Sequence, residues 1–249
     1  MKLSDYVADF LADIGSHVYG VCGAGAMHLN DSICNHPRIK FIATHHEQAA
    51  AMAAEAESRV TGKIGIVHVT AGPGGTNTIT GVAGAWVDSI PMLVIAGQVG
   101  TSSLKKRSGL RQLGTNELGL IEMVGSITKY AVTVVDPSTI KYHLQRAVYL
   151  ATLMRNGPVW VEIPLDVQCA EINPDLLAGM PEQERLVISN GSYLKGAAQR
   201  VAEALNAAKR PLVIAGNGIH LAGAESLIRE FVERWSIPVA TSWNASDIF

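Results

Sequence analysis

Short apolar runs recur along the first two thirds of the chain, each followed by a stretch whose apolar residues fall at helical spacing. Ser4 is placed to cap a helix that Gly15 ends, and residues 17–21 (HVYGV) then suit a strand. The same pattern predicts helices at 26–34, 47–60 and 76–88, with strands at 39–45, 64–70 and 91–97. Residues 127–134 suit a further strand, Pro137 opens a helix running to about Met154, and residues 157–164 (GPVWVEIP) close the series. The apolar runs do not alternate with polar residues, as expected of parallel strands covered on both faces. The fold class predicted is α/β: an open, doubly wound parallel sheet with helices on both faces, over residues 1–165.

Residues 166–192 are polar, contain two prolines and predict a linker. From residue 193 a second alternation begins: helix, strand, helix, strand. Two strands and two helices make a small core, so residues 193–249 read as an incomplete second α/β domain, the beginning of a larger one.

Composition narrows the function classes. Of the 249 residues, 48% are hydrophobic and 17% charged, which fits a well-buried globular protein rather than a disordered one. The formal net charge is −2, and the basic residues are dispersed apart from Lys105-Lys106-Arg107, so nucleic acid is not an expected partner. Asp5, Asp9 and Asp13 interrupt the start where an export signal needs an apolar core, and no apolar run reaches the roughly 18 residues of a membrane span. A cytoplasmic protein with no membrane partner is expected. Cys22, Cys34 and Cys169 are odd in number and lack C-x-x-C spacing, which predicts neither a disulfide framework nor a metal site.

Several familiar motifs fail. His46-Glu47 opens like a zinc-protease H-E-x-x-H, but position 50 is Ala. Residues 23–28 (GAGAMH) open like a dinucleotide fingerprint, but the third glycine position holds His28. What remains are three strand-to-helix turns: 20–26 (GVCGAGA), 44–47 (THHE) and 70–77 (TAGPGGTN). Each alone is ordinary turn chemistry, with Thr76 or Asn77 available as a helix cap and Glu47 favouring a helix dipole. Together they lie at one edge of one sheet, the carboxyl ends of strands where open α/β sheets bind ligands.

The order YGVCGAGA, then THHEQAAAMAAEAESRVTGK, then GIVHVTAGPGGTN resembles the pyrimidine-binding domain of thiamine diphosphate-dependent enzymes, and within them the acetolactate synthase-like branch. The likeness runs from about residue 3 to 165, and residues 211–224 (PLVIAGNGIHLAGA) resemble the beginning of that family's central domain. The resemblance implies that Glu47 hydrogen-bonds N1′ of the cofactor's aminopyrimidine and so activates thiamine diphosphate to its ylid, which attacks a 2-keto acid. It implies further that Gly72, Pro73, Gly74 and Asn77 line the pyrimidine side, and that Cys22 and Gly23 contact the cofactor through the first turn. Cys22 departs from the proline usual there. Gln112 is matched to a glutamine near the reacting centre, beside Arg111 where phenylalanine is usual. Arg111 and His28 are substrate-side candidates, Arg111 for a second acidic group. His45 and His46 are expected to shape the turn that presents Glu47.

The same resemblance implies Mg²⁺, held with the diphosphate by a G-D-G motif and a downstream asparagine, and in some members FAD. No G-D-G occurs in the 249 residues. The expected function is therefore the N-terminal portion of a thiamine diphosphate-dependent 2-keto acid decarboxylase or carboligase, working as a homodimer or homotetramer and inactive as this chain alone. The alternative is a non-catalytic structural or regulatory subunit of the same fold that pairs with a complete partner.

Overall fold

The computed structural model describes residues 1–104, 110–186 and 191–249, which form two compact units, Met1–Met180 and Pro181–Phe249. In the first unit the elements run α1 (Leu3–Ile14), β1 (His17–Gly20), α2 (Met27–Cys34), β2 (Lys40–Ala43), α3 (Glu47–Thr61), β3 (Gly65–Val69), α4 (Pro73–Val87) and β4 (Met92–Gln98). They continue with α5 (Leu120–Val124), β5 (Tyr130–Thr133), α6 (Ile140–Thr152), β6 (Pro158–Pro164) and α7 (Leu165–Gln168). All six strands are parallel and lie in the order β2-β1-β3-β4-β6-β5. This is the doubly wound sheet expected.

Strand parity builds two cores. Ile66, Leu93, Ile95, Val159, Val161 and Ile163 point to one face, where Leu3, Val7 and Leu11 of α1, Leu29 and Ile33 of α2, and Leu144 of α6 bury them. Val67, Val69, Val94, Ala96 and Trp160 point to the other, under Ala50, Ala51 and Ala54 of α3, Val82 and Ala85 of α4, and Leu120 of α5. The alanines of α3 serve close packing. A Cβ on Gly81 would stand 2.5 Å from the Ala51 Cβ, and one on Gly65 only 2.1 Å from the Ala54 carbonyl oxygen. Helices α3 and α4 therefore nearly touch.

Three local expectations are corrected. Ser4 lies inside α1, buried, with Ser32 Oγ donating to its hydroxyl at 2.9 Å; Lys2 holds the N-cap position instead. Helix α4 begins at Pro73, not near Thr76, because Gly72 takes a left-handed φ of 61° at the N-cap and proline suits the next position. The first unit also continues past residue 165. Val167, Gln168 and Leu177 are buried against it, so residues 166–180, expected as linker, belong to this unit.

The second unit contains α8 (Gly191–Ala207), β7 (Val213–Ala215), α9 (Gly218–Leu221), α10 (Glu225–Trp235) and β8 (Val239–Thr241). Its two strands pair in parallel, and a small core gathers Ala215, Ala245 and Ile248. Among the described residues no helix is long and apolar enough to cross a membrane.

Candidate functional site

The chain leaves β1 for β2 on one side and returns to place β3 on the other. Such a reversal opens a crevice at the carboxyl ends of the two diverging strands. The turns that follow β1, β2 and β3 all border it, because every strand points the same way.

The second turn presents Glu47. His46 is the N-cap of α3, its Nδ1 accepting from the Gln48 backbone N–H at 3.1 Å, so the histidine caps the helix that Glu47 opens. Thr44 Oγ1 donates to the His46 carbonyl at 2.9 Å and braces the same turn. Glu47 is half-buried. Its Oε2 accepts from Asn77 Nδ2 of α4 at 2.9 Å. Because Gly72 caps α4, Asn77 is one turn inside the helix and free to reach across to this carboxylate. Oε1 would lie 3.6 Å from a Cβ on Gly74, and the same Cβ would stand 2.7 Å from Thr70 Cγ2. Glycine at 74 avoids a clash with Thr70 and lets α4 start close beside Glu47. His45 is exposed beside it.

The first turn is clamped against the third. A Cβ on Gly23 would meet Thr70 Cγ2 at 2.5 Å, and one on Gly97 would meet the Gly25 carbonyl oxygen at 2.2 Å. Two side-chain amides secure the turn's carbonyls. Asn30 Nδ2 donates to Gly23 O at 2.9 Å, and Gln168 Nε2 donates to Gly25 O at 2.8 Å. Behind Asn30 sits His68, fully buried in β3, with Nε2 at 2.8 Å from Asn30 Oδ1 and Nδ1 at 3.2 Å from the Ile95 carbonyl. Burial lowers its pKa to about 4, so the ring is neutral and has one proton for two oxygens. Cys22 is exposed in this turn, and its thiol neighbours Cys34, whose own pKa burial and Cys22 together raise to about 11.

Sequence-predicted residues thus divide. Cys22, Gly23, Glu47, Gly72, Pro73, Gly74 and Asn77 all fall on the three turns or the first turns of the helices after them. Gln112 and Arg111 are exposed in a segment of bends and turns, and no described contact joins them to Glu47. Asn116 instead reaches the third turn: a Cβ on Gly72 would stand 2.1 Å from its carbonyl oxygen. His28 is half-buried on α2, with no described hydrogen bond to the Glu47 cluster. The basic run at 105–107 lies outside the described residues. Asn30, His68, Gln168 and Asn116 were not singled out from sequence. The one available signal was His68, a polar residue within an otherwise apolar strand (GIVHV).

The segment that carries this carboxylate and the 2-1-3-4-6-5 sheet falls within a stretch matched by family comparison. The model described as thiamine pyrophosphate enzyme, N-terminal TPP binding domain, matches residues 1–120, and that of the thiamine pyrophosphate enzyme central domain matches residues 198–249. The chain belongs to the thiamine pyrophosphate enzyme family. Within it, the chain is similar to acetolactate synthases. It is 34% identical over 242 residues to the large subunit of Lactococcus lactis subsp. lactis, covering 96% of this chain and 40% of that protein. It is 39% identical over 237 residues to the mitochondrial enzyme of Schizosaccharomyces pombe (91% and 34%), and 34% over 247 residues to the isozyme 3 large subunit of Escherichia coli (96% and 41%). The chain spans about two fifths of the length of these relatives.

Proposed function

We propose that this chain supplies the pyrimidine-binding side of a thiamine diphosphate-dependent 2-keto acid decarboxylase or carboligase of the acetolactate synthase type, with Glu47 as its proton-handling residue. The observation that carries the reading is the Glu47 carboxylate itself. Asn77 holds Oε2, while no described hydrogen bond engages Oε1, which leaves that oxygen for a second hydrogen-bonding group.

The donor and acceptor set fits an aminopyrimidine: the glycine turns bring backbone close to Thr70 and Asn116 without side chains of their own, and Glu47 Oε1, with no described hydrogen bond, is an acceptor beside them. When bound, thiamine diphosphate would supply a nucleophilic thiazolium carbon for a 2-keto acid carbonyl. Glu47 would hold a proton at the ring's N1′ through Oε1, with Asn77 fixing the carboxylate plane. The Asn30 and Gln168 amides, which hold the carbonyls of Gly23 and Gly25, would fix the first turn beside it. Mg²⁺ and the diphosphate are held by polypeptide other than these 249 residues, which contain no G-D-G. We assign no flavin contact to this chain. Self-association through α3, with Met52 exposed at 44% among its alanines, belongs to the same proposal.

In a protein that joins this chain to a diphosphate-binding domain, Glu47→Gln should slow hydrogen–deuterium exchange at thiazolium C2 by about 10²–10⁴, the usual contribution of a positioned proton-transfer group. NMR of the C2 proton measures it. Exchange at the unmodified rate would remove the role from Glu47.

A further inference from the structure

A second polar centre lies away from Glu47, at the carboxyl ends of β4, β5 and β6. A cavity of about 690 Å³ is lined there by Gln98, Thr133 and Glu162 from the three strands and by Glu117 and Glu122 from the segment running into α5. Glu162 is 2% exposed. Its Oε1 accepts from Thr133 Oγ1 at 2.8 Å, but its buried Oε2 has no hydrogen-bond partner. A buried carboxylate oxygen left unpaired costs more than a hydrogen bond normally contributes, so it marks a place where a donor is missing.

The chemistry of that donor follows from the walls. Three of the described lining residues, Glu117, Glu122 and Glu162, are glutamates, so this wall favours a cation. Leu118, Ile121 and Val135 make apolar wall beside them, which suits a short hydrocarbon body. No group of three or more His, Cys, Asp or Glu among the described residues is spaced to hold a metal ion. An organic ammonium answers both the charge and the apolar wall.

We propose that this cavity binds a small aliphatic ammonium ion, its charged head donating to Glu162 Oε2 and its chain lying against Leu118, Ile121 and Val135. The site is separate from the Glu47 turns and does not rest on the function proposed for them. Burial pushes the Glu162 carboxyl up to about 7 against the opposing pull of the Thr133 and Gln98 side chains, with the facing Glu122 and Glu117 adding a smaller rise. The residues facing it from β4 and β5, Gln98 and Thr133, carry no charge. Glu162 therefore binds the cation only after losing its proton, and binding releases that proton to solvent.

The test uses n-butylammonium as the probe and n-butanol as its uncharged counterpart, followed by amide NMR of the 249-residue chain. Butylammonium should shift the amides of Glu122, Thr133 and Glu162 saturably, and its apparent affinity should rise about tenfold between roughly pH 6 and pH 8 as Glu162 ionises. Glu162→Gln should abolish the preference for butylammonium over butanol. The pH dependence in the unmodified chain decides the matter if that variant does not fold. Equal responses to the two probes, a pH-independent affinity, or no saturable shift would each overturn the proposal.

Discussion

His68 and Glu162 are buried titratable residues whose burial acts on stability in opposite directions. His68 is held near pKa 4 against an ordinary 6.5, so the unfolded chain takes up a proton that the folded chain refuses. That drains stability as pH falls from about 6.5 to about 4, by about 3 kcal/mol in all. Glu162 is held near 7 against an ordinary 4.5, so the folded chain keeps a proton that the unfolded chain has lost. That drains a similar amount, about 3 kcal/mol, as pH rises from about 4.5 to about 7. The slopes oppose each other over nearly the same window, and the contribution of the pair should be close to flat. Urea midpoints against pH for two variants check this. Glu162→Gln should leave a protein that loses stability towards acid, and His68→Gln one that loses stability towards neutrality. Parallel profiles for both variants would mean that at least one of the two is not ionising as described.

At the scale of elements, glycine separates two kinds of contact on one helix. Gly81 faces Ala51 so closely that an added Cβ would overlap, whereas a Cβ on Gly84 would meet only Glu55 Oε2 at 3.8 Å. Replacing an interior helix glycine by alanine gains about 0.5–1 kcal/mol when nothing obstructs it. Gly84→Ala should therefore stabilise the first unit, and Gly81→Ala should destabilise it by about 1–3 kcal/mol as α3 and α4 are forced apart. Denaturant unfolding of the two variants gives the signs directly. The elements themselves were largely legible in the sequence, since unalternating apolar runs and helical spacing mark strands and helices locally. What stayed hidden depends on partners distant in the chain. Thr76 and Asn77 looked like helix caps, but Gly72 and Pro73 start α4 sooner, and the role of Asn77 shows only in its bond to Glu47, thirty residues earlier. Gln112 matched a motif, yet Asn116, with its own left-handed φ of 60°, packs on Gly72. Residues 166–180 are polar enough to pass for a linker, but a few buried side chains such as Leu177 tie them to the domain.

At the scale of the whole molecule, the proposed function gives this chain the pyrimidine edge of a cofactor site, and its 249 residues contain no G-D-G to anchor a diphosphate. Each hydrogen bond to the ring adds only about 0.5–1.5 kcal/mol net, and micromolar affinity needs about 8 kcal/mol beyond the losses of association. Isothermal titration of this chain with thiamine diphosphate and Mg²⁺ should give weak or undetectable binding and no turnover of 2-keto acids. A metal-dependent micromolar dissociation constant would show that an anchor is encoded here after all. The strand order carries a different consequence, for biosynthesis. β5 is made before β6, yet among the described residues it pairs only with β6, which stands between it and β4. As the chain leaves the ribosome, β5 has no seat until residue 164 has emerged, and the whole edge of β4 stays unpaired meanwhile. An open apolar strand edge is a site for pairing with the wrong neighbour. The interval between synthesis of Gln98 and of Pro164 is thus the period in which the nascent first domain most needs a chaperone.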